Sequence, residues 1–182
     1  TDELTGIPGV VERWGRSVFH CPYCHGYELN QGPLGVLAIG DVSMHQALLI
    51  PEWGPTTFFT NGAIELDSDQ RRQLDARGVV IEPARVIGIE GEADVRLADG
   101  RVIELAGLFV ASRLRVTSPL AEQLGCEFDE SPLGASVRTN GMQETTVERV
   151  FACGDIARPA GNVTFAMADG AMAGAATHRS LM

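Results

Sequence analysis

The sequence lacks the features that mark several large classes of proteins. No apolar run approaches the ~20 residues needed to span a bilayer, and no signal peptide or targeting tail is visible. The 14 basic residues are outnumbered by 24 acidic ones and form no cluster, which argues against nucleic acid or a membrane as a partner. Four cysteines in 182 residues are too few for a secreted disulfide scaffold. We therefore predict a cytoplasmic globular protein.

Two of the cysteines stand close together in the segment 19–26, which reads Phe-His-Cys-Pro-Tyr-Cys-His-Gly. Cys21 and Cys24 are separated by two residues, a spacing that allows a small, reversible disulfide. In such pairs one thiol pKa is commonly lowered, so that a thiolate nucleophile exists near neutral pH. His20 and His25 flank the pair and can move protons while the disulfide forms and breaks. The segment therefore predicts a redox site.

The same spacing is also found in zinc sites, so a metal site is the main alternative. A structural zinc ion needs four ligands, and the chain has no second Cys-x-x-Cys and no His-x-x-x-His. Cys126 and Cys153 stand alone, far along the chain, and are interpreted as small buried hydrophobic residues. We therefore prefer a redox pair to a metal site or an inert pair, and we assign no metal ligands.

The pattern of apolar runs and turn residues predicts an α/β fold. Three buried strands, at 34–39, 56–60 and 79–81, alternate with helices at 44–50 and 70–77, and Ser43 is placed to cap the first helix. This β-α-β-α-β order predicts a parallel sheet with right-handed crossovers.

The second half of the chain follows a different pattern. Short strands are expected at 86–89, 94–98 and 101–105, with Asp99-Gly100 as a hairpin turn. A core strand at 108–111 and a helix at 118–124 follow, and then a long loop at 126–145. A last strand at 150–153 leads into Gly154-Asp155, and a closing helix at 164–179 carries many small residues.

These elements, in this order, resemble the low-molecular-weight thioredoxin reductase family of flavoproteins. The features that carry the resemblance are the motifs at 20–26, 106–111 and 150–157. The family implies a Rossmann-like three-layer FAD/NAD(P)-binding fold, in which helices cover a parallel sheet and an antiparallel β-meander is added. It also implies that residues 1–24 form a crossing segment leading to the disulfide, that 25–112 form an inserted NAD(P)-type domain, and that 113–182 form the C-terminal part of the FAD domain.

The resemblance also implies roles for individual residues. Cys24 would face the flavin as the charge-transfer thiolate, and Cys21 would exchange with the substrate disulfide. Gly154 and Asp155 would bind the flavin, with the Asp155 carboxylate on its ribityl chain. The backbone at the start of the closing helix would approach the isoalloxazine ring, where a helix N-terminus stabilises negative charge. The residues at this helix start are Val163, Thr164 and Phe165.

Two departures from the family pattern bear on its cofactors. No Gly-x-Gly-x-x-Gly turn precedes Cys21, so we expect the N-terminal part of the FAD domain to be absent and FAD to be held incompletely by this chain. After strand 34–39 only Gly40 of the dinucleotide turn is present, and Asp41 adds a carboxylate that repels a pyrophosphate. Asn61 follows the next strand where an acidic ribose ligand is expected. NAD(P)H binding is therefore unsupported.

One branch of the family fits these departures, namely the flavin-dependent dithiol oxidases of disulfide natural-product pathways. These enzymes oxidise a small dithiol to a disulfide and pass the electrons to oxygen without NAD(P)H. In that mechanism His20, or as second choice His25, would deprotonate the substrate thiol.

Three alternatives stay open at the level of sequence. One is an NAD(P)H-dependent reductase that acts on a thioredoxin-like protein. The second is a non-catalytic fragment without flavin, and the third is a metal-binding module built from the two cysteines and a histidine. For the two enzymes, the family implies a homodimer.

Overall fold

The computed structural model describes residues 1–182, which form two compact units. One unit contains residues 4–112, and the other contains residues 1–3 together with 113–182. In chain order the strands are β1 Asp2–Glu3, β2 Val18–Phe19, β3 Leu34–Leu37, β4 Thr56–Phe59, β5 Val80–Glu82, β6 Val86–Glu90, β7 Asp94–Leu97, β8 Val102–Ile103, β9 Gly107–Val110, β10 Arg113–Leu114, β11 Phe128–Ser131 and β12 Gly134–Val137. The α-helices are α1 Val10–Arg13, α2 Pro22–His25, α3 Ser43–Leu49, α4 Ser68–Ala76, α5 Leu120–Gln123 and α6 Val163–Ser180.

The unit of residues 4–112 is built on a parallel sheet with the strand order β2-β9-β3-β4-β5. Its central strands are buried on both faces, which explains why they are apolar at nearly every position. Strands β6, β7 and β8 form a separate antiparallel sheet. The predicted α/β class, the parallel sheet and the antiparallel meander are confirmed.

Alternation along the strands assigns successive side chains to two different cores. Phe58 and Phe109 belong to the core that includes residues of α3 and α4. Phe59 and Leu108 belong to the core that includes the apolar residues of β6 and β7. All four side chains are fully buried. The unit therefore has three layers, with helices on one face of the parallel sheet and the antiparallel sheet on the other.

Helix α4 begins as its sequence predicts. The Asp67 carboxylate accepts hydrogen bonds from the backbone N–H groups of Asp69 and Gln70, and the Gln70 side chain accepts one from the Asp67 N–H, which completes a capping box. The prediction that Ser43 caps α3 is wrong. Its hydroxyl accepts a hydrogen bond from the backbone N–H of Ile39 at 2.9 Å instead, because the side chain is buried in the turn.

The second unit contains a sheet in which β12 pairs in parallel with β10 and antiparallel with β11. The segment predicted as a loop at 126–145 therefore contains a hairpin. This hairpin was not predicted because residues 128–131 are mostly polar and largely exposed. The strand predicted at 150–153 is reduced to a single bridge between Glu144 and Phe151. The closing helix, α6, is one residue longer at each end than the predicted range 164–179. No helix of the molecule has the length and apolar character required to cross a bilayer.

Candidate active site

The redox segment begins where β2 leaves the parallel sheet. Strand β2 pairs with β9, and the chain then extends through Cys21, which has a φ of −113° and a ψ of 113°. Pro22 starts α2, where its fixed φ and missing N–H are tolerated. This one-turn helix brings Cys24 back beside Cys21, and the two sulfur atoms lie 3.1 Å apart as free thiols. The structure therefore brings the two predicted redox cysteines together.

The two thiols do not have equivalent surroundings. Cys24 is exposed and Cys21 is half-buried. The Cys24 Sγ donates a hydrogen bond to the Cys21 Sγ. This hydrogen bond, together with some burial and the charge of a Cys21 thiolate, raises the pKa of the Cys24 thiol. Cys24 therefore holds its proton to higher pH than an isolated cysteine, and Cys21 receives the hydrogen bond.

The two flanking histidines have aromatic neighbours. The His25 ring stacks on Phe19 with a centroid distance of 4.3 Å, and its Nδ1 lies 3.7 Å from a Glu28 carboxylate oxygen. His20 is exposed, and its ring lies nearly parallel to that of Trp14, with the centroids 6.2 Å apart. His20 is exposed and His25 is half-buried, so solvent reaches both imidazoles, as a proton carrier requires.

Gly26 and Trp53 fix the exit of the redox segment. A Cβ atom at Gly26 would overlap the indole ring of Trp53, so only glycine allows this close approach. The ring of Tyr23, which lies between the cysteines and is 77% exposed, meets the same indole edge-on at 5.3 Å. The glycine thus lets the indole lie against both ends of α2.

Sequence reasoning missed Gln46, which also contacts this segment. The side chain of Gln46 is on α3 and donates a hydrogen bond from Nε2 to the backbone carbonyl of His20 at 2.8 Å. The only signal in the sequence is an amide among the apolar residues of that helix. No group of three or more histidine, cysteine, aspartate or glutamate side chains in the structure could hold a metal ion.

The turn after β3 uses its polar groups internally. The N–H groups of Ser43 and Met44 donate to the carbonyls of Gly40 and Asp41, and the N–H of Ile39 donates to the Ser43 hydroxyl. Phosphate binding at such turns depends on backbone N–H groups that are free to reach the ligand.

Asn61 is also engaged within the protein. Its side-chain oxygen accepts a hydrogen bond from the Val86 N–H at 2.8 Å. Asn61, two residues after the end of β4, therefore fixes the position of the first residue of β6.

In the second unit, the predicted flavin-binding residues lie in a loop and at the start of α6. Gly154 adopts a φ of +72°, which favours glycine. The Asp155 carboxylate is exposed and lies so close to Gly161 that a Cβ atom there would collide with it.

The side chain of Asn162 caps α6 by accepting a hydrogen bond from the Phe165 N–H at 2.9 Å. Val163, Thr164 and Phe165 form the exposed first turn of α6.

An ion pair that sequence reasoning missed closes this loop against α6. The Arg158 guanidinium binds the buried Asp169 carboxylate through two nitrogen atoms, one of them at 2.7 Å, and its carbon lies 5.0 Å from the Phe165 ring centroid. Gln143 adds a hydrogen bond to Asp169 at 3.2 Å. The only sequence signal is that Asp169 is the one acidic residue in α6.

The Arg158 guanidinium lowers the pKa of Asp169, so the pair has a predictable pH dependence. A carboxylate with a lowered folded-state pKa stabilises the fold above its unfolded pKa and loses that contribution as pH falls through the folded value. Asp169→Asn should therefore be less stable than the wild type at pH 7, and the difference should shrink below about pH 4. Urea unfolding between pH 7 and pH 2.5 measures this. A constant difference across that range would contradict the ionic role.

Comparison with known proteins identifies the family. Residues 63–174 match the model of the pyridine nucleotide-disulphide oxidoreductase family. The chain is 31% identical to thioredoxin reductase sirT of Leptosphaeria maculans over 95% of its own length and 58% of that protein. It is also 31% identical to thioredoxin reductase tcpT of Claviceps purpurea, over 95% of its own length and 57% of that protein.

Solved structures agree with this match. An oxidoreductase from Agrobacterium tumefaciens superposes with a TM-score of 0.97 at 57% identity, over all of this chain and 61% of that one. The protein HlmI superposes with a TM-score of 0.89 at 35% identity, over all of this chain and 57% of that one. The chain belongs to the pyridine nucleotide-disulphide oxidoreductase family and resembles its thioredoxin reductase-like members. It spans less than two thirds of the length of these relatives.

Proposed function

We propose that this chain carries the redox-active part of a flavin-dependent thiol–disulfide oxidoreductase that oxidises a small dithiol to a disulfide with oxygen as the acceptor. The observation that carries the proposal is the pair of adjacent thiols, Cys21 and Cys24, on a one-turn helix flanked by histidines. Their mutual approach needs only a small movement to close a disulfide. The family match supports the class of reaction.

The proposed cycle starts from the Cys21–Cys24 disulfide. A substrate thiolate attacks the Cys21 sulfur, and Cys24 leaves as a thiolate. The second substrate thiol, deprotonated by His20 or His25, attacks the substrate sulfur of the mixed disulfide and releases the Cys21 thiolate together with the substrate disulfide. Two electrons then reside on the cysteine pair. FAD would be held by Gly154, Asp155 and the first turn of α6, and it would supply the two-electron chemistry that links the reduced cysteine pair to oxygen, with hydrogen peroxide as the product.

The residues of the second unit fit the ribityl and ring side of a flavin site. The exposed Asp155 carboxylate can accept hydrogen bonds from ribityl hydroxyls. The N–H groups of Val163 and Thr164 lie in the first turn of α6, where a helix leaves its N–H groups without intrahelical partners. We assign Gly154, Asp155 and the first turn of α6 to flavin binding, residues 113–182 to the C-terminal part of an FAD domain, and residues 25–112 to an NAD(P)-type domain.

Oxygen is preferred to NAD(P)H because of the turn after β3. Its N–H groups at Ser43 and Met44 already have partners, and the exposed Asp41 adds a negative charge. These two features together oppose a pyrophosphate.

The second candidate is an NAD(P)H-dependent disulfide reductase that acts on a thioredoxin-like protein. It is favoured by the names of the fungal relatives. In either case the active unit would be a homodimer, as in the thioredoxin reductase-like flavoproteins.

Anaerobic mixing of the flavin-loaded holoprotein tests the proposal. We expect a dithiol such as dithiothreitol to bleach the flavin absorption, excess NADPH to bleach it slowly or not at all, and peroxide to appear when air is admitted. Adding catalase in parallel confirms that the product is peroxide. Fast bleaching by NADPH would instead establish the reductase, and no bleaching by either reagent would support a non-catalytic role.

A further inference from the structure

We propose that Gln46 is a positioning residue for the redox pair and holds the peptide bond that joins His20 to Cys21. Its side chain is 8% exposed, and its Nε2 donates to the His20 carbonyl at 2.8 Å. That carbonyl belongs to the peptide that enters Cys21. Gln46 is thus the only side chain with a hydrogen bond to the backbone of His20 or Cys21.

The energetics of this amide are unusual. Its Oε1 is the only buried side-chain oxygen or nitrogen atom in the structure without a hydrogen-bond partner. Burying an unpaired polar group is unfavourable, and a leucine or methionine would fill the same space without that cost. The amide is therefore poorly explained by packing within α3. Its one favourable polar contact is with the redox segment.

The contact constrains the cysteine pair at one end. At the other end, the Cys24 N–H donates to the Cys21 carbonyl at 3.3 Å as α2 begins. Between these two hydrogen bonds, Cys21 is held extended, with its sulfur 3.1 Å from that of Cys24. Without Gln46, the ψ of His20 and the φ of Cys21 become freer to rotate. The two sulfur atoms then meet less often, and the disulfide forms less readily.

Helix α3 is a rigid support for this contact. Ala47 and Ile50, at the end of the same helical segment, are fully buried against the parallel sheet. Through this hydrogen bond, the Gln46 amide fixes the redox segment relative to the sheet. We therefore expect its removal to change the equilibrium between the dithiol and the disulfide.

The experiment measures that equilibrium in the purified chain with glutathione and needs no flavin. In the reaction, the Cys21–Cys24 dithiol loses two electrons and two protons, and glutathione disulfide is reduced to two glutathione molecules. We expect Gln46→Leu to lower the equilibrium constant for disulfide formation about 3-fold, because the dithiol segment becomes freer to move, and the worth of one full hydrogen bond, about 10-fold, is the upper limit of the effect. A tenfold fall corresponds to a rise of ~30 mV in midpoint potential.

Gln46→Glu provides a second readout with a distinctive pH dependence. An ionised carboxylate only accepts hydrogen bonds and faces the His20 carbonyl unfavourably, whereas a protonated carboxyl can donate to it. Relative to the wild type, disulfide formation in this variant should therefore recover as pH falls towards 4. A residue that served only the packing of α3 would not produce this recovery. The Glu variant decides the question if Gln46→Leu does not fold.

Gln73→Leu is the matched control, because Gln73 is exposed on α4 and makes no hydrogen bond through its side chain. It should leave the equilibrium constant unchanged. A folded Gln46→Leu with the wild-type constant, or a Glu variant whose constant stays below that of the wild type even at pH 4, would overturn the inference. Failure of the wild-type cysteines to form a disulfide would instead refute the proposed function on which the inference rests.

Discussion

Replacing either redox cysteine with serine should abolish dithiol oxidation by the flavin-loaded holoprotein. Removal of a nucleophile from a covalent mechanism typically lowers the rate by 10³-fold or more, and a hydroxyl at either position cannot form the disulfide. The two variants should also differ from each other. Cys24→Ser leaves the Cys21 thiol able to form a mixed disulfide with an oxidised substrate, and the proposed cycle has no such adduct at Cys24. Steady-state oxygen consumption and intact-protein mass spectrometry measure the two effects.

Cys126→Ala is the control for this experiment. Cys126 is buried, and its sulfur lies 3.6 Å from the Thr145 hydroxyl in the second unit. Its removal should cost some stability but leave turnover and the reversible disulfide intact. If Cys126→Ala lost turnover as completely as Cys24→Ser, or if Cys24→Ser kept a tenth of the wild-type rate, the assignment of the redox pair would be wrong.

Phe109→Ala should lower the free energy of unfolding by about 3–5 kcal/mol, the usual effect of truncating a buried phenylalanine. Phe109 lies fully buried on β9, which has β2 and β3 as its neighbours in the parallel sheet. Its ring contacts that of Phe19 at 5.9 Å, and Phe19 in turn stacks on His25. Urea unfolding followed by circular dichroism measures the loss of stability. Because Phe19 would lose its contact with the Phe109 ring, we also expect the His25 ring that stacks on Phe19 to become more exposed.

Val80→Ala tests the same sheet at a position without burial. The Val80 side chain is 62% exposed on the edge strand β5, and its truncation should change stability by no more than about 0.5 kcal/mol. Equal losses for the two variants would mean that Phe109 does not contribute to the core as its burial indicates.

Much of the parallel sheet could be predicted because its sequence signals are local. A run such as 34–37 is apolar at each position, which indicates a buried strand. Asp67 and Gln70 have the three-residue spacing of a capping box, which indicates the start of a helix. The hairpin of β11 and β12 was missed because its stability comes from pairing between strands, while residues 128–131 carry little apolar character of their own. Pairing partners distant in sequence leave no such local signal.

In the candidate site, too, the features with local sequence signals could be predicted, and those that depend on partners distant in sequence could not. Cys21 and Cys24 were predicted to meet because their spacing alone determines their separation on one turn of helix. The contacts of Gln46 and of Arg158 with their partners span 26 and 11 residues, and neither residue type has a fixed role that a pattern could identify. The family resemblance supplied roles for Asp155 and the start of α6, which geometry alone does not assign. Those roles stay predictions.

The close packing of Gly26 beneath Trp53 limits how this motif could be transferred to another protein. The motif of residues 19–26 is contiguous in sequence, but its conformation depends on an indole from residue 53 and on an amide from residue 46. Copying the eight residues into a different scaffold would place two thiols near each other without these supports. An engineered version must therefore carry α3 and the turn that follows it, and it also needs β9, which lies between β2 and β3 in the sheet. The transferable redox module is thus larger than the segment from β2 to Trp53.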